Sequence, residues 1–214
     1  MTELFVSAFV TLFVVIDPPG CAPIFASLTQ GSSAAHRRAM AFRSVITATG
    51  ILLFFALLGK DLLGALGISL DAFRIAGGIL LFLIASEMVF EKRTERRETR
   101  ASQVAADAQA KQKPLEAEDI SVFPMAIPMI AGPGSIASVM LLTAKADGPA
   151  ETAAVLAATG IVLLLTLAAL LLAAPLMRLI GYRLEAMVTR LLGVILCALA
   201  AQFVVNGIKG AFGI

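Results

Sequence analysis

Tryptophan is absent from the 214 residues, tyrosine and histidine occur once each (Tyr182, His36), and there are two cysteines, Cys21 and Cys197. Each scarcity removes a class of function. One histidine and two distant cysteines give no metal-ligand cluster of recognisable spacing, and there is neither a serine nucleophile beside a base nor a phosphate loop. No enzyme and no cofactor is expected. Two cysteines in apolar surroundings exclude a disulfide framework. Aromatic residues are 7% of the chain, which gives no support to a drug-binding pocket. Charged residues make up only 15%, the net charge is +2, and the basic side chains sit between apolar runs rather than along one stripe. A nucleic-acid partner is therefore excluded.

What is present is apolar. Hydrophobic residues are 59% of the chain and the mean hydropathy is +0.92, which places it among integral membrane proteins in a lipid bilayer. Runs long enough to cross a hydrocarbon core of about 30 Å occur at 4–30, 44–66, 70–90, 120–145, 152–174 and 187–208, predicting an all-α protein with six spans. Met1-Thr2-Glu3 lacks the basic start of a secretory signal, so the first span is expected to be retained. Thirteen Lys/Arg residues fall in alternate connections and four in the others. The richer set predicts the cytoplasmic side, with both termini outside and the charged linker 91–119 inside.

Two spans are overlong and interrupted. Asp17-Pro18-Pro19-Gly20 breaks the first, because adjacent prolines remove two backbone donors and disfavour the helical region before them. Ala131-Gly132-Pro133-Gly134 breaks the fourth, 114 positions later. Short echoes accompany this pair. Ala48-Thr49-Gly50-Ile51 recurs as Ala158-Thr159-Gly160-Ile161, Gly67–Ala72 resembles Gly181–Ala186, and Arg74–Leu80 resembles Arg190–Leu196, at shifts of 110 to 116. The expectation is one membrane domain over 1–214, with repeat 1 at 1–90, the linker at 91–119 and repeat 2 at 120–214. Three spans per unit reverse the second unit, so the repeats are inverted. Paired helix interruptions at corresponding points are the sequence pointer to a transporter's midplane site.

Asp17 is the one carboxylate predicted near the bilayer centre, where an unpaired charge is costly. It is the candidate ion-coupling residue, and capping of the following half-helix is its structural alternative. Half-helices ending near Ile16 and Ile130 offer carbonyls, and those starting after Gly20 and Gly134 offer amides; together they suit the two poles of a small zwitterion. The candidate substrate-binding residues are Pro19, Gly20, Cys21, Gly132, Pro133, Gly134, Ser135, Gln202 and Asn206. The last two share one face of the sixth span, where bonding between helices is an equal alternative. Gly77, Gly78 and Gly193 are expected to permit close helix approach.

The motifs Asp17-Pro18-Pro19-Gly20-Cys21-Ala22-Pro23, Phe123-Pro124-Met125-Ala126-Ile127-Pro128 and Ala131-Gly132-Pro133-Gly134-Ser135, with Arg74 and Gly77-Gly78, resemble the MarC family, which includes the SnatA-type neutral amino acid transporters. The resemblance spans essentially the whole chain. It implies a bacterial inner-membrane protein that carries small neutral amino acids such as glycine and alanine, with H⁺ as the coupling ion and Na⁺ as the alternative. Cys21 departs from the pattern, which implies asparagine there, at a position that bears on substrate affinity and selectivity. An ion or small-solute channel, an exporter of another metabolite, and a scaffold recruiting a partner through the linker are the competing functions. The oligomeric state is not indicated.

Overall fold

A computed structural model describes residues 1–90, 99 and 119–213, with backbone alone for 174 and 176–185. Most of the charged linker thus lies outside the described residues. The described chain is helical, without a strand: α1 (Thr2–Ile16), α2 (Pro18–Leu28), α3 (Ala34–Ala65), α4 (Leu70–Val89), α5 (Ser121–Ile130), α6 (Pro133–Lys145), α7 (Pro149–Leu171) and α8 (Ala173–Phe212). α1 and α2 run on as one apolar stretch of 27 residues, whereas α5 and α6 are bent by 53°. Five helices are long and apolar enough to cross a membrane, six when the bent pair counts as one. The protein is a multi-pass integral membrane protein.

Two helices overrun their apolar runs. α3 begins at Ala34 rather than 44, because residues 34–43 contain no glycine or proline and the Ser33 hydroxyl caps the His36 amide at 3.3 Å. α8 begins at Ala173, so the expected fifth connection is itself helical. Pro175 is tolerated there because the first turn needs no intrahelical N–H. A cavity of about 320 Å³ lies where these overruns start, lined by Thr29, Arg37 and Arg38 on one side and Leu170, Leu171 and Pro175 on the other.

Burial is divided between two apolar clusters. The larger joins α1, α2, α3, α5, α6 and α7 through residues such as Leu12, Phe25, Leu52, Met125 and Val162. The smaller joins α1, α4 and α8 through Val14, Val15, Leu81, Met88 and Leu196. α1 belongs to both and so stands between them. Outward-facing Phe54, Leu57, Phe82, Leu83, Leu164 and Leu191 leave an apolar exterior suited to lipid. Arg43 of α3 holds Asp119 at 3.2 Å, just ahead of α5. The Asp119 carboxyl is held below its ordinary value, chiefly by the Ser121 hydroxyl that donates to it.

α4 and α8 are the most extensively packed pair and run antiparallel. Gly78 lies against Val204, Gly193 against Met88 and Val89, and Gly207 against Asp71 and Ile75. A Cβ on Gly78 would come within 2.9 Å of the Ala200 carbonyl and the Val204 amide. The expected closeness at Gly78 and Gly193 is therefore present. Gly78→Leu should lower stability by roughly 3 kcal/mol or more, since backbone faces the added side chain. Gly50→Leu, at a position with open space around it, is the control. Thermal unfolding in detergent reads the difference; equal midpoints would refute the close-packed crossing.

Candidate functional site

The first break follows from four consecutive residues. Pro18 and Pro19 have no N–H, so the carbonyls of Val14 and Val15 lose the donors that a continuous helix would supply. Asp17 turns into the left-handed region (φ 59°, ψ 66°) and is the one described non-glycine residue with positive φ. It ends α1 and starts α2 at once. Its amide donates to the Phe13 carbonyl at 2.9 Å, and its own carbonyl accepts from the Cys21 amide at 3.0 Å. Its carboxylate Oδ1 accepts the Gly20 amide at 3.1 Å. Gly20 is required by that contact, because a Cβ there would lie 2.2 Å from Asp17 Oδ2.

The freed carbonyl of Ile16 is not left bare. The Cys21 thiol donates to it at 3.5 Å, five residues back along the chain. Asp17 is 1% exposed and Cys21 0%, while Pro19 is half-buried. The capping role weighed for Asp17 is thus realised, and the carboxylate is held inside the protein. Nothing in the residue pattern pointed to the thiol's role beyond its five-residue spacing from Ile16.

The second break is built differently. The expected α-helix ending near Ile130 is replaced in α5 by two wide turns, in which Met125 N–H bonds the Ile120 carbonyl at 3.3 Å and Ala131 N–H bonds Ala126 at 2.8 Å. Each donor reaches five residues back. Pro124 and Pro128, both after cis peptide bonds, supply no amide, and Phe123 and Ile127 before them take extended φ/ψ. Gly132 then caps α6, and Pro133 occupies its first turn. A Cβ on Gly132 would meet the Pro128 carbonyl oxygen at 2.3 Å.

The two breaks meet. Val15, in the last turn of α1, approaches the place of a Gly134 Cβ to 3.2 Å, with Ile84 and Leu81 of α4 beside it. The carbonyl end of α1 and the amide end of α6 therefore adjoin, giving opposite partial charges next to each other. Gly134 and Ser135 are buried in this region, while Pro133 is exposed. Gln202 and Asn206 are not brought here. They stand exposed on α8, where the Gln202 amide nitrogen donates to Asn206 Oδ1 at 2.8 Å. Their spacing revealed a shared face but not which way that face turns.

Comparison with known proteins fits this architecture. The MarC family integral membrane protein pattern matches residues 2–212. The chain is 39% identical over 212 residues to the UPF0056 membrane protein MJ1677 of Methanocaldococcus jannaschii, covering 98% of each. It is 36% identical to the UPF0056 membrane protein YvbG of Bacillus subtilis, covering 99% of this chain and 97% of that one. It is 32% identical over 204 residues to the UPF0056 membrane protein YhcE of Escherichia coli, covering 95% of this chain and 91% of that one. No solved structure matches the chain.

Proposed function

The chain belongs to the MarC family, and from that premise we propose that it is a secondary transporter of small neutral amino acids such as glycine and alanine, coupled to protons through Asp17. The observation that carries this reading is the Asp17 carboxylate, 1% exposed at the junction of two helices in an apolar span. A carboxylate so placed is costly unless its charge is used or neutralised. A proton carrier does both in turn. The adjoining ends of α1 and α6 supply acceptors for an ammonium group and donors for a carboxylate, the two poles of a zwitterion.

Packing favours the inverted-repeat architecture. Exchanging α1, α2, α3 and α4 with α5, α6, α7 and α8 turns the pair α1–α7 into α5–α3, α2–α8 into α6–α4 and α2–α7 into α6–α3, and all six pairs are in contact. A single shift of 115 residues relates the caps Asp17 and Gly132, and also relates the Gly78–Val204 contact to the Gly193–Val89 contact. Aligned by sequence, Asp17 faces Ala131; aligned by cap, it faces Gly132. Neither counterpart has a carboxylate, so ion coupling is assigned to one break alone. The protein is placed in the cytoplasmic membrane with its termini outward.

Reconstitution tests the reading. Proteoliposomes given a pH gradient should accumulate labelled glycine or alanine, and a sodium gradient alone should not drive it. Equilibration without accumulation would favour a channel. No movement of any small neutral amino acid above empty liposomes would refute the substrate class.

A further inference from the structure

Six buried or half-buried hydroxyls on the described helices or at their ends share one arrangement. Thr29, Ser44, Thr49, Thr143, Thr159 and Thr166 each donate to the carbonyl four residues earlier, at 2.7 to 2.9 Å. That bond satisfies a hydroxyl within its own helix. Thr11 of α1 and Ser138 of α6 depart from it. Both are 0% exposed, and theirs are the two buried side-chain oxygens among the described residues that have no hydrogen-bond partner. Leaving a buried hydroxyl unpaired is unfavourable, because its hydration is lost and nothing replaces it.

Helix directions bring the two to one level. α4 and α6 are antiparallel, because Gly77 faces Leu141 while Leu81 and Ile84 face Gly134. Short connections at 29–33 and 66–69 reverse the chain twice, so α1 runs with α4 and against α6. Val15 and Gly134 are in contact. Thr11 is one turn before Val15 and Ser138 one turn after Gly134, so both are displaced from that contact in the same direction. The unpaired hydroxyls thus share one level of the α1–α6 crossing, next to the meeting of the breaks.

We infer that Thr11 and Ser138 are substrate-binding residues whose hydroxyls donate to the carboxylate of the transported amino acid. The inference rests on the transport reading and adds a binding pair that neither break motif contains. The carboxylate is the matching pole because Ser138 lies one turn in from the amide end of α6, and it is at that end that negative charge is favoured. The seat is closed in this structure. Substrate reaches it when α1 and α6 part, and the unpaired hydroxyls then gain the partner they lack.

Thr11→Val keeps the shape of the side chain and Ser138→Ala removes little volume. In full-length protein, each should leave the thermal midpoint in detergent unchanged or higher, since an unsatisfied group is lost. Each should raise KM for labelled alanine in proteoliposomes about tenfold, the equivalent of one hydrogen bond to a charged group, and Thr11→Ser should restore it. Alaninol, which lacks the carboxylate, should compete equally in parent and variants. Parent-like KM in both variants overturns the inference while leaving transport intact. A lowered midpoint with parent-like KM also overturns it, showing a purely structural role. No alanine uptake by the parent overturns the transport reading and this seat with it.

Discussion

Asp17→Asn is expected to keep the fold and abolish proton-driven accumulation. Asparagine tolerates the left-handed conformation that Asp17 adopts, and its side-chain oxygen still accepts the Gly20 amide. The substitution therefore removes charge and little else. A pH gradient of one unit stores about 1.4 kcal/mol per proton, which supports an accumulation of about tenfold. In the variant that ratio should fall to one, while exchange of labelled for unlabelled alanine across the membrane continues. Normal accumulation would take Asp17 out of the coupling role. Asp17→Ala is a poorer test, because it also loses the cap, worth about 1 kcal/mol, and the tolerance of positive φ.

Gly132→Ala should be the most destabilising single-methyl change at either break. Its Cβ would stand 2.3 Å from the Pro128 carbonyl oxygen, a backbone atom, and Ala131 beside it is tied back to Ala126. Relief requires the wide turn to open, at a cost of roughly 3 kcal/mol or more. Gly20→Ala differs instructively. There the clash is with the Asp17 carboxylate, a side chain that can swing aside. Its stability loss should be smaller, yet it drives the carboxylate off the Gly20 amide and should impair accumulation. Gly50→Ala and Gly160→Ala meet nothing within 4 Å and should stabilise by up to about 1 kcal/mol, as helix-interior glycines do. Thermal unfolding in detergent, paired with uptake, separates these outcomes; a parent-like midpoint for Gly132→Ala would refute the steric account.

The parts of this architecture legible in the sequence are those with a compositional signature. Runs of apolar residues marked the membrane-crossing portions, and the prolines and glycines at 17–20 and 131–134 marked where helices stop. The glycines at 78 and 193 signalled close approach correctly. Hydropathy failed at helix ends, because a helix continues into water as readily as its residues permit. Hence α3 starts ten residues before its apolar run and α8 absorbs a connection. The wide turns of α5 were not legible, since two prolines four apart say that amides are missing but not how the backbone closes around the gap. The outward placement of Gln202 and Asn206, and the unpaired state of Thr11 and Ser138, depend on which neighbour each helix face meets. A single sequence does not carry that information.

The overruns of α3 and α8 give the molecule unequal sides. At 1.5 Å per residue, their 32 and 40 residues reach about 48 and 60 Å, against a hydrocarbon core of about 30 Å. Both surpluses are at the amino-terminal ends, and both line the same cavity beside Arg37 and Arg38. The excess length of both helices therefore collects around one cavity, on the side where the guanidinium groups of Arg37 and Arg38 stand.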